Sequence, residues 1–118
     1  MNQYEVPACI ADELPEIGNE LKTVPSSNVF KTLQCLAGYT RRMIAVHNYG
    51  AVRRSFTLAE KIYNHGNTVV RNAVENVFVY SFSAMLNRCE EKEVPAIHAM
   101  MPLSLYSVYV RQVLKSGI

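Results

Sequence analysis

Apolar residues return every three or four positions along most of this chain. The clearest case is residues 48–67, where Tyr49, Val52, Phe56, Ala59 and Tyr63 fall on one face of a helix. Asn48 can accept hydrogen bonds from the free amides of the first turn, and Gly66 can take the left-handed conformation that closes the last. Upstream, Val6, Ile10, Leu14, Ile17, Leu21 and Val24 form a second stripe that runs through Pro7 and Pro15. Pro7 suits a first turn, but Pro15 lacks the amide a helix interior needs. The stripe therefore predicts a kinked helix or two short ones in line.

Pro25-Ser26-Ser27-Asn28 is a turn ending in a good cap, so a further helix starts near Val29. Phe30, Leu33, Leu36, Ala37, Met43 and Ile44 keep its apolar face, and Gly38 allows close approach of another helix. The link at His47 and Asn48 has room only for a tight turn, which folds this helix and the next into an antiparallel hairpin. Asn67 caps another helix over residues 68–88, apolar on nearly every side in its second half, the mark of a central member of a bundle. Val77 to Phe82 is rich in β-formers, yet no turn signal interrupts the segment and it is too long for an ordinary strand. The polar run at residues 87–93 reads as a loop, and residues 95–101 as a short helical turn. Pro102 then opens a last helix carrying Leu103, Tyr106, Val110, Val113 and Leu114 and closed by Gly117. The sum is an all-α fold, an antiparallel bundle of four to five helices in a single domain over residues 1–118.

Composition agrees with a packed globule: 49% of the 118 residues are hydrophobic and 19% charged, with five glycines and five prolines. Three cysteines, Cys9, Cys35 and Cys89, are odd in number and lack CxxC spacing, which predicts reduced, buried thiols. The first residues show no secretory pattern and no stretch reaches transmembrane length, so the expected location is cytoplasmic. The net charge of +2 hides an asymmetry: residues 1–24 carry five acids against Lys22, or −4, and the rest carry 11 bases against five acids, or +6. An acidic first segment lying on a basic body neutralises part of it, and nucleic acid is not the expected partner.

The spacing of Leu36, Tyr39, Met43, Tyr49, Val52, Phe56 and Ala59 resembles one degenerate tetratricopeptide repeat. Thr40, Val52 and Asn64 stand where that motif prefers glycine, alanine and proline, and no second copy follows, so the resemblance implies a helical hairpin and no repeat array. The phrases NAVENVFVYSF and ADELPE look similar to a small, uncharacterised all-helical family of bacteria, a domain of unknown function. Small helical proteins of this size include immunity proteins of toxin systems. The resemblance implies protein binding and supplies no site residue.

Reactive constellations are absent from the local sequence. His47, His65 and His98 have no ligand neighbour at helical spacing, and His47 and His65 stand about 27 Å apart at 1.5 Å per residue. A metal set would have to be assembled from different helices; none is expected, and no cofactor. There is no GxSxG, no cysteine beside a base and no glycine-rich phosphate loop, so the chain reads as non-catalytic.

Two features remain. Arg41-Arg42 and Arg53-Arg54 flank the hairpin turn, which brings both pairs to one level and makes a positive patch suited to carboxylate or phosphate. The plainer outcome is that some pair with the acidic first segment and the rest are solvated. Asn72, Glu75 and Asn76 sit on the most apolar helix, where they either satisfy a neighbouring element or line a cleft. Tyr106 and Tyr109 lie on different sides of the last helix, which leaves one available as a contact anchor. The expected function is a non-catalytic protein-protein interaction module, immunity-type or regulatory, that meets an acidic protein partner through Arg41, Arg42, Arg53 and Arg54. A homodimer is compatible with so apolar a chain, and no membrane is involved. The alternative is a small-ligand or phosphometabolite pocket at Asn72, Glu75 and Asn76.

Overall fold

Three asparagines start the three central helical segments. The Asn28, Asn48 and Asn67 side chains accept hydrogen bonds from the amides of Lys31, Ala51 and Val70, each three residues on. In the computed structural model, which describes residues 1–116, these caps open α3 (Val29–Ala45), α4 (Tyr49–His65) and α5 (Thr68–Ala73). Before them come α1 (Val6–Glu13), a 3₁₀ turn at Pro15–Ile17 and α2 (Gly18–Leu21). Pro15 thus divides the first stripe into two short helices in line, with Val6, Ile10, Leu14, Ile17 and Leu21 all buried. The fold is all-α, with no strand among the described residues.

Helices α3 and α4 pack against each other as a hairpin, and α1 lies against both. The link between them closes in a Schellman arrangement: the Asn48 amide donates to the Met43 carbonyl at 2.8 Å and the His47 amide to Ile44 at 3.0 Å. His47 takes the left-handed backbone this requires, with φ 60°, a position where glycine is usual. Gly66, expected to be left-handed, is instead extended at φ −76° and ψ 149°. Its lack of a side chain serves space: a Cβ there would come within 2.5 Å of Val70 Cγ1 and 2.7 Å of the Ile62 carbonyl oxygen. The amino group of Met1 donates to the His65 carbonyl beside this link, and the Asn67 amide donates back to the Met1 carbonyl at 2.9 Å.

The expected single helix over residues 68–88 is not one rod. After Ala73 the coil widens into a π-helical stretch, Val74–Val79, where the Tyr80 amide reaches the Glu75 carbonyl five residues back at 3.2 Å. It breaks at Tyr80 and Ser81 and resumes as α6 (Phe82–Leu86). The widened turn faces α3, α4 and α8 together and puts Val74, Phe78 and Val79 fully in the core while Tyr80, 74% exposed, swings outward. So the segment is not apolar on all sides in its packing, and Val69 is also exposed.

Residues 87–93 are not wholly loop: Glu91–Glu93 forms a 3₁₀ turn held by a reciprocal capping box between Glu90 and Glu93, which leads into α7 (Val94–Met100). The final helix, α8 (Leu103–Ser116), turns inward a face that only partly matches the one expected, since Tyr106, Val110 and Val113 are half-buried. Leu105 and Val108 are buried, whereas Leu103 and Leu114 are 80% and 73% exposed. The inward line continues to Gln112, whose Nε2 donates to the Glu75 carbonyl at 2.8 Å. A polar residue on the docking face disguised the true stripe. Gly117, expected to close this helix, lies outside the described residues.

Phe56 links the hairpin to the later helices through edge contacts with Phe78 and Phe82, both at 6.0 Å between centroids. Phe82 in turn meets His98 at 5.2 Å and Tyr109 at 4.9 Å, so Tyr106 and Tyr109 are both half-buried in one aromatic cluster. Phe30, expected inside, is exposed. The three free cysteines are half-buried, not fully buried, and the burial pushes the Cys9 and Cys35 thiols up from their ordinary range.

Candidate functional site

The acidic first segment decides what each arginine can do. Glu13, Glu16 and Glu20 project at helical spacing toward the hairpin, where Lys61 meets Glu13 at 3.1 Å, Arg54 meets Glu16 at 3.1 Å and Arg42 meets Glu20 at 3.0 Å. Glu16 also accepts from the Tyr39 hydroxyl at 2.5 Å. That hydrogen bond holds the Glu16 carboxyl below its usual range, while burial, reinforced by Glu16, pushes the Tyr39 phenol up to about 12. Arg42 and Arg54 are therefore engaged within the chain. Arg53 lies with Arg54 in a hollow of ≈240 Å³ that includes Glu13, Thr57, Leu58 and Lys61.

Arg41 faces elsewhere. Gln34, Ala37, Gly38, Arg41 and Ala45 follow one another at helical spacing along α3 and line two adjoining hollows. The larger, ≈420 Å³, is walled by Asn76, Val77, Tyr80 and Ser81 across from Gln34, Ala37 and Arg41. The smaller, ≈240 Å³, lies between Gly38, Arg41, Arg42, Ala45 and Arg88. Arg41 belongs to both, and no lining residue of either is acidic. Among the described residues no carboxylate pairs with Arg41 or Arg88. The four predicted arginines thus divide: Arg41 and Arg42 border the α3 groove, and Arg53 and Arg54 a separate hollow.

The π-helical stretch shapes this groove. Its break turns Tyr80 outward as one wall, and the Ser81 hydroxyl donates to the Val77 carbonyl at 2.6 Å to hold the turn. Asn76 projects into the groove, but Asn72 is exposed, and Glu75 is turned the other way, accepting from the Tyr63 hydroxyl at 2.8 Å. Arg71 lies over that same Tyr63 ring at 4.4 Å. Asn72, Glu75 and Asn76 accordingly do not converge on one space. Arg88 and Tyr80 were missed by sequence reasoning, since neither stands near the hairpin arginines along the chain.

A second cluster joins the hairpin turn to the α7 end. His47 Nδ1 lies 2.9 Å from Glu93 Oε2 and 3.3 Å from the Tyr49 hydroxyl. His47, Glu90 and Glu93 together supply three potential metal-ligand atoms within 4.8 Å of one another. The carboxylates already have work: Glu93 closes the capping box, whose Glu90 amide holds its carboxyl below the usual range, and Glu90 pairs with Lys92 at 3.2 Å. The cluster therefore acts as a clasp between two elements, with His47 placed by its left-handed backbone.

The chain belongs to the family described as Domain of unknown function (DUF7674), whose model matches residues 7–115. No curated protein and no solved structure matches it. Among the described residues no helix is long and apolar enough to cross a membrane.

Proposed function

We propose that this protein is a non-catalytic interaction module that captures an acidic segment of a partner protein along the α3 groove. The observation that carries this reading is the position of Arg41: it stands without a carboxylate partner where two acid-free hollows meet, while Arg42 and Arg54 are engaged by the chain's own glutamates. Arg88 adds a second uncompensated guanidinium, and exposed Tyr80 offers the large amphipathic contact that anchors interfaces. Charge of one sign in a groove speeds association with the opposite sign. The acidic first segment lies as a strap against the hairpin and reaches this groove only at Arg42, through Glu20, while Glu13 and Glu16 pair with Lys61 and Arg54; Arg41 and Arg88 are left to a partner. The tetratricopeptide-like hairpin serves as scaffold, and an immunity-type or regulatory role in a bacterial cytoplasm fits this design.

A photocrosslinker placed at Tyr80 tests the reading. It should trap a discrete partner in the native cell, and Arg41→Glu should abolish the adduct while Arg53→Glu leaves it. An adduct indifferent to Arg41→Glu would remove the groove as the docking surface. The ≈420 Å³ hollow bordered by Asn76 favours one second reading, a small phosphometabolite. A thermal-shift screen separates the two, since a ligand at 100 times its dissociation constant adds about 2.7 kcal/mol of stability.

A further inference from the structure

The groove is not uniform, and its Gly38 end carries more positive charge than a carboxylate can use. Arg41, Arg42 and Arg88 all line one hollow of ≈240 Å³. A Cβ built on Gly38 would lie 3.6 Å from Arg42 Nη1 and 3.7 Å from Arg41 Nη2, so both guanidiniums arch over the same bare patch of α3. Arg88, beyond α6, contributes to the lining from another element. Three guanidiniums, with Arg42 shared by Glu20 at 3.0 Å, leave a local excess of two positive charges.

A carboxylate brings one negative charge and two oxygens, which a single bidentate arginine satisfies. A phosphate monoester brings about −1.5 to −2 near neutral pH and three terminal oxygens, enough to engage all three side chains. We infer, building on the acidic-docking reading, that the Gly38 hollow holds a phosphate monoester dianion, with the adjoining hollow at Asn76 and Tyr80 taking the group that bears it. Gly38 puts no side chain between these guanidiniums and the hollow they line.

The test uses the full chain and three fluorescent peptides of one neutral sequence, carrying phosphoserine, glutamate or serine at the central position, followed by anisotropy. The phosphoserine peptide should bind about tenfold or more tighter than the glutamate peptide, as expected when further charge-assisted bonds form. Arg88→Gln should remove that advantage with the thermal midpoint unchanged, and Lys61→Gln in the separate hollow should not. Affinity should also fall as pH drops below about 6, where the second phosphate proton returns. Inorganic phosphate and a phosphorylated small molecule, added as competitors, identify the source. Displacement only by millimolar phosphate points to a protein-borne group, and displacement by micromolar small ester to a free metabolite; either supports the dianion. Equal binding of phosphoserine and glutamate peptides overturns the dianion and leaves acidic docking standing. Failure of every peptide, with no thermal shift in phosphate, overturns the dianion, and the Tyr80 crosslink then judges the docking surface separately.

Discussion

Helices α3 and α4 and the segment over residues 68–86 begin alike, each on an asparagine cap, yet they end differently. The first two run unbroken for 17 residues each, whereas the third keeps α-helical winding only to Ala73. The difference is the number of faces each must bury. α3 and α4 each keep a wet side, bearing Lys31, Gln34 and Arg42 on one and Arg53, Thr57 and Lys61 on the other. The later segment meets α3, α4 and α8 at once and buries Val70, Ala73, Val74, Phe78, Val79, Phe82 and Met85. A regular coil cannot direct Phe78 and Val79 inward and Tyr80 outward while keeping those contacts, and a widened turn can. The same distortion builds a wall of the α3 groove, so packing and the candidate site share one cause.

Phe56 is one place where the two regions touch, and removing it breaks the comparison most severely. Phe56→Ala empties a fully buried ring that meets Phe78 and Phe82, and should cost about 3–5 kcal/mol in urea unfolding. One unfolding transition, seen alike by far-ultraviolet circular dichroism and by tyrosine fluorescence, is expected. Two separate transitions would mean that the hairpin folds without the later helices.

The link between the regions is next in size. Gly66→Ala forces a methyl group against Val70 and the Ile62 carbonyl, both closer than 3 Å, and should destabilise by about 1–3 kcal/mol. Gly18→Ala is the matched control: its backbone is helical, at φ −58° and ψ −40°, and nothing lies within 4 Å of the new methyl. It should stabilise by about 0.4–1 kcal/mol, through the unfolded chain. Equal effects at the two glycines would show that space around Gly66 is not what selects it.

Caps give a smaller and more even effect. Asn48→Ala and Asn67→Ala each remove a side-chain acceptor for an amide three residues on, and each should cost about 0.5–2 kcal/mol in thermal or urea unfolding. A much smaller cost at Asn67 would mean that the enclosed segment is held by packing alone.

What could be read beforehand follows the same division. The three asparagine caps, the Val6 to Leu21 stripe and the hairpin are set by neighbours in sequence, and they were legible. The π-helical turn answers to three partners at once, which no local period records. On α8, Gln112 belongs to the docking line because a carbonyl of the irregular segment accepts from it. Counting apolar residues therefore missed the line of Leu105, Val108 and Gln112 and included the exposed Leu103 and Leu114. At the site, the arginine pairs were visible but their division was not, since it depends on Glu16 and Glu20 reaching the hairpin across the fold. Arg88 enters the hollow only because α6 folds back along α3.

The subtlest expected effect concerns the pair that ties the acidic strap to the hairpin. The Tyr39 hydroxyl donates to Glu16, lowering the folded-state pKa of the carboxyl and raising that of the phenol to about 12. A carboxyl held below its unfolded value, near 4.5, contributes stability that is present above that pH and is lost as pH falls through the folded value. The phenol works with the opposite sign: its contribution is present below 10.0 and is lost as pH rises toward about 12. Tyr39→Phe keeps the buried ring and deletes the bond, so it should raise the Glu16 pKa toward its ordinary range in a carboxyl-carbon NMR titration. It should also flatten the alkaline fall in stability by removing the titrating group, while Arg54 still pairs with Glu16. An unmoved Glu16 titration would assign its depression to Arg54 and the strap's own backbone, and the strap would then rest on its buried apolar stripe without help from the hairpin's tyrosine.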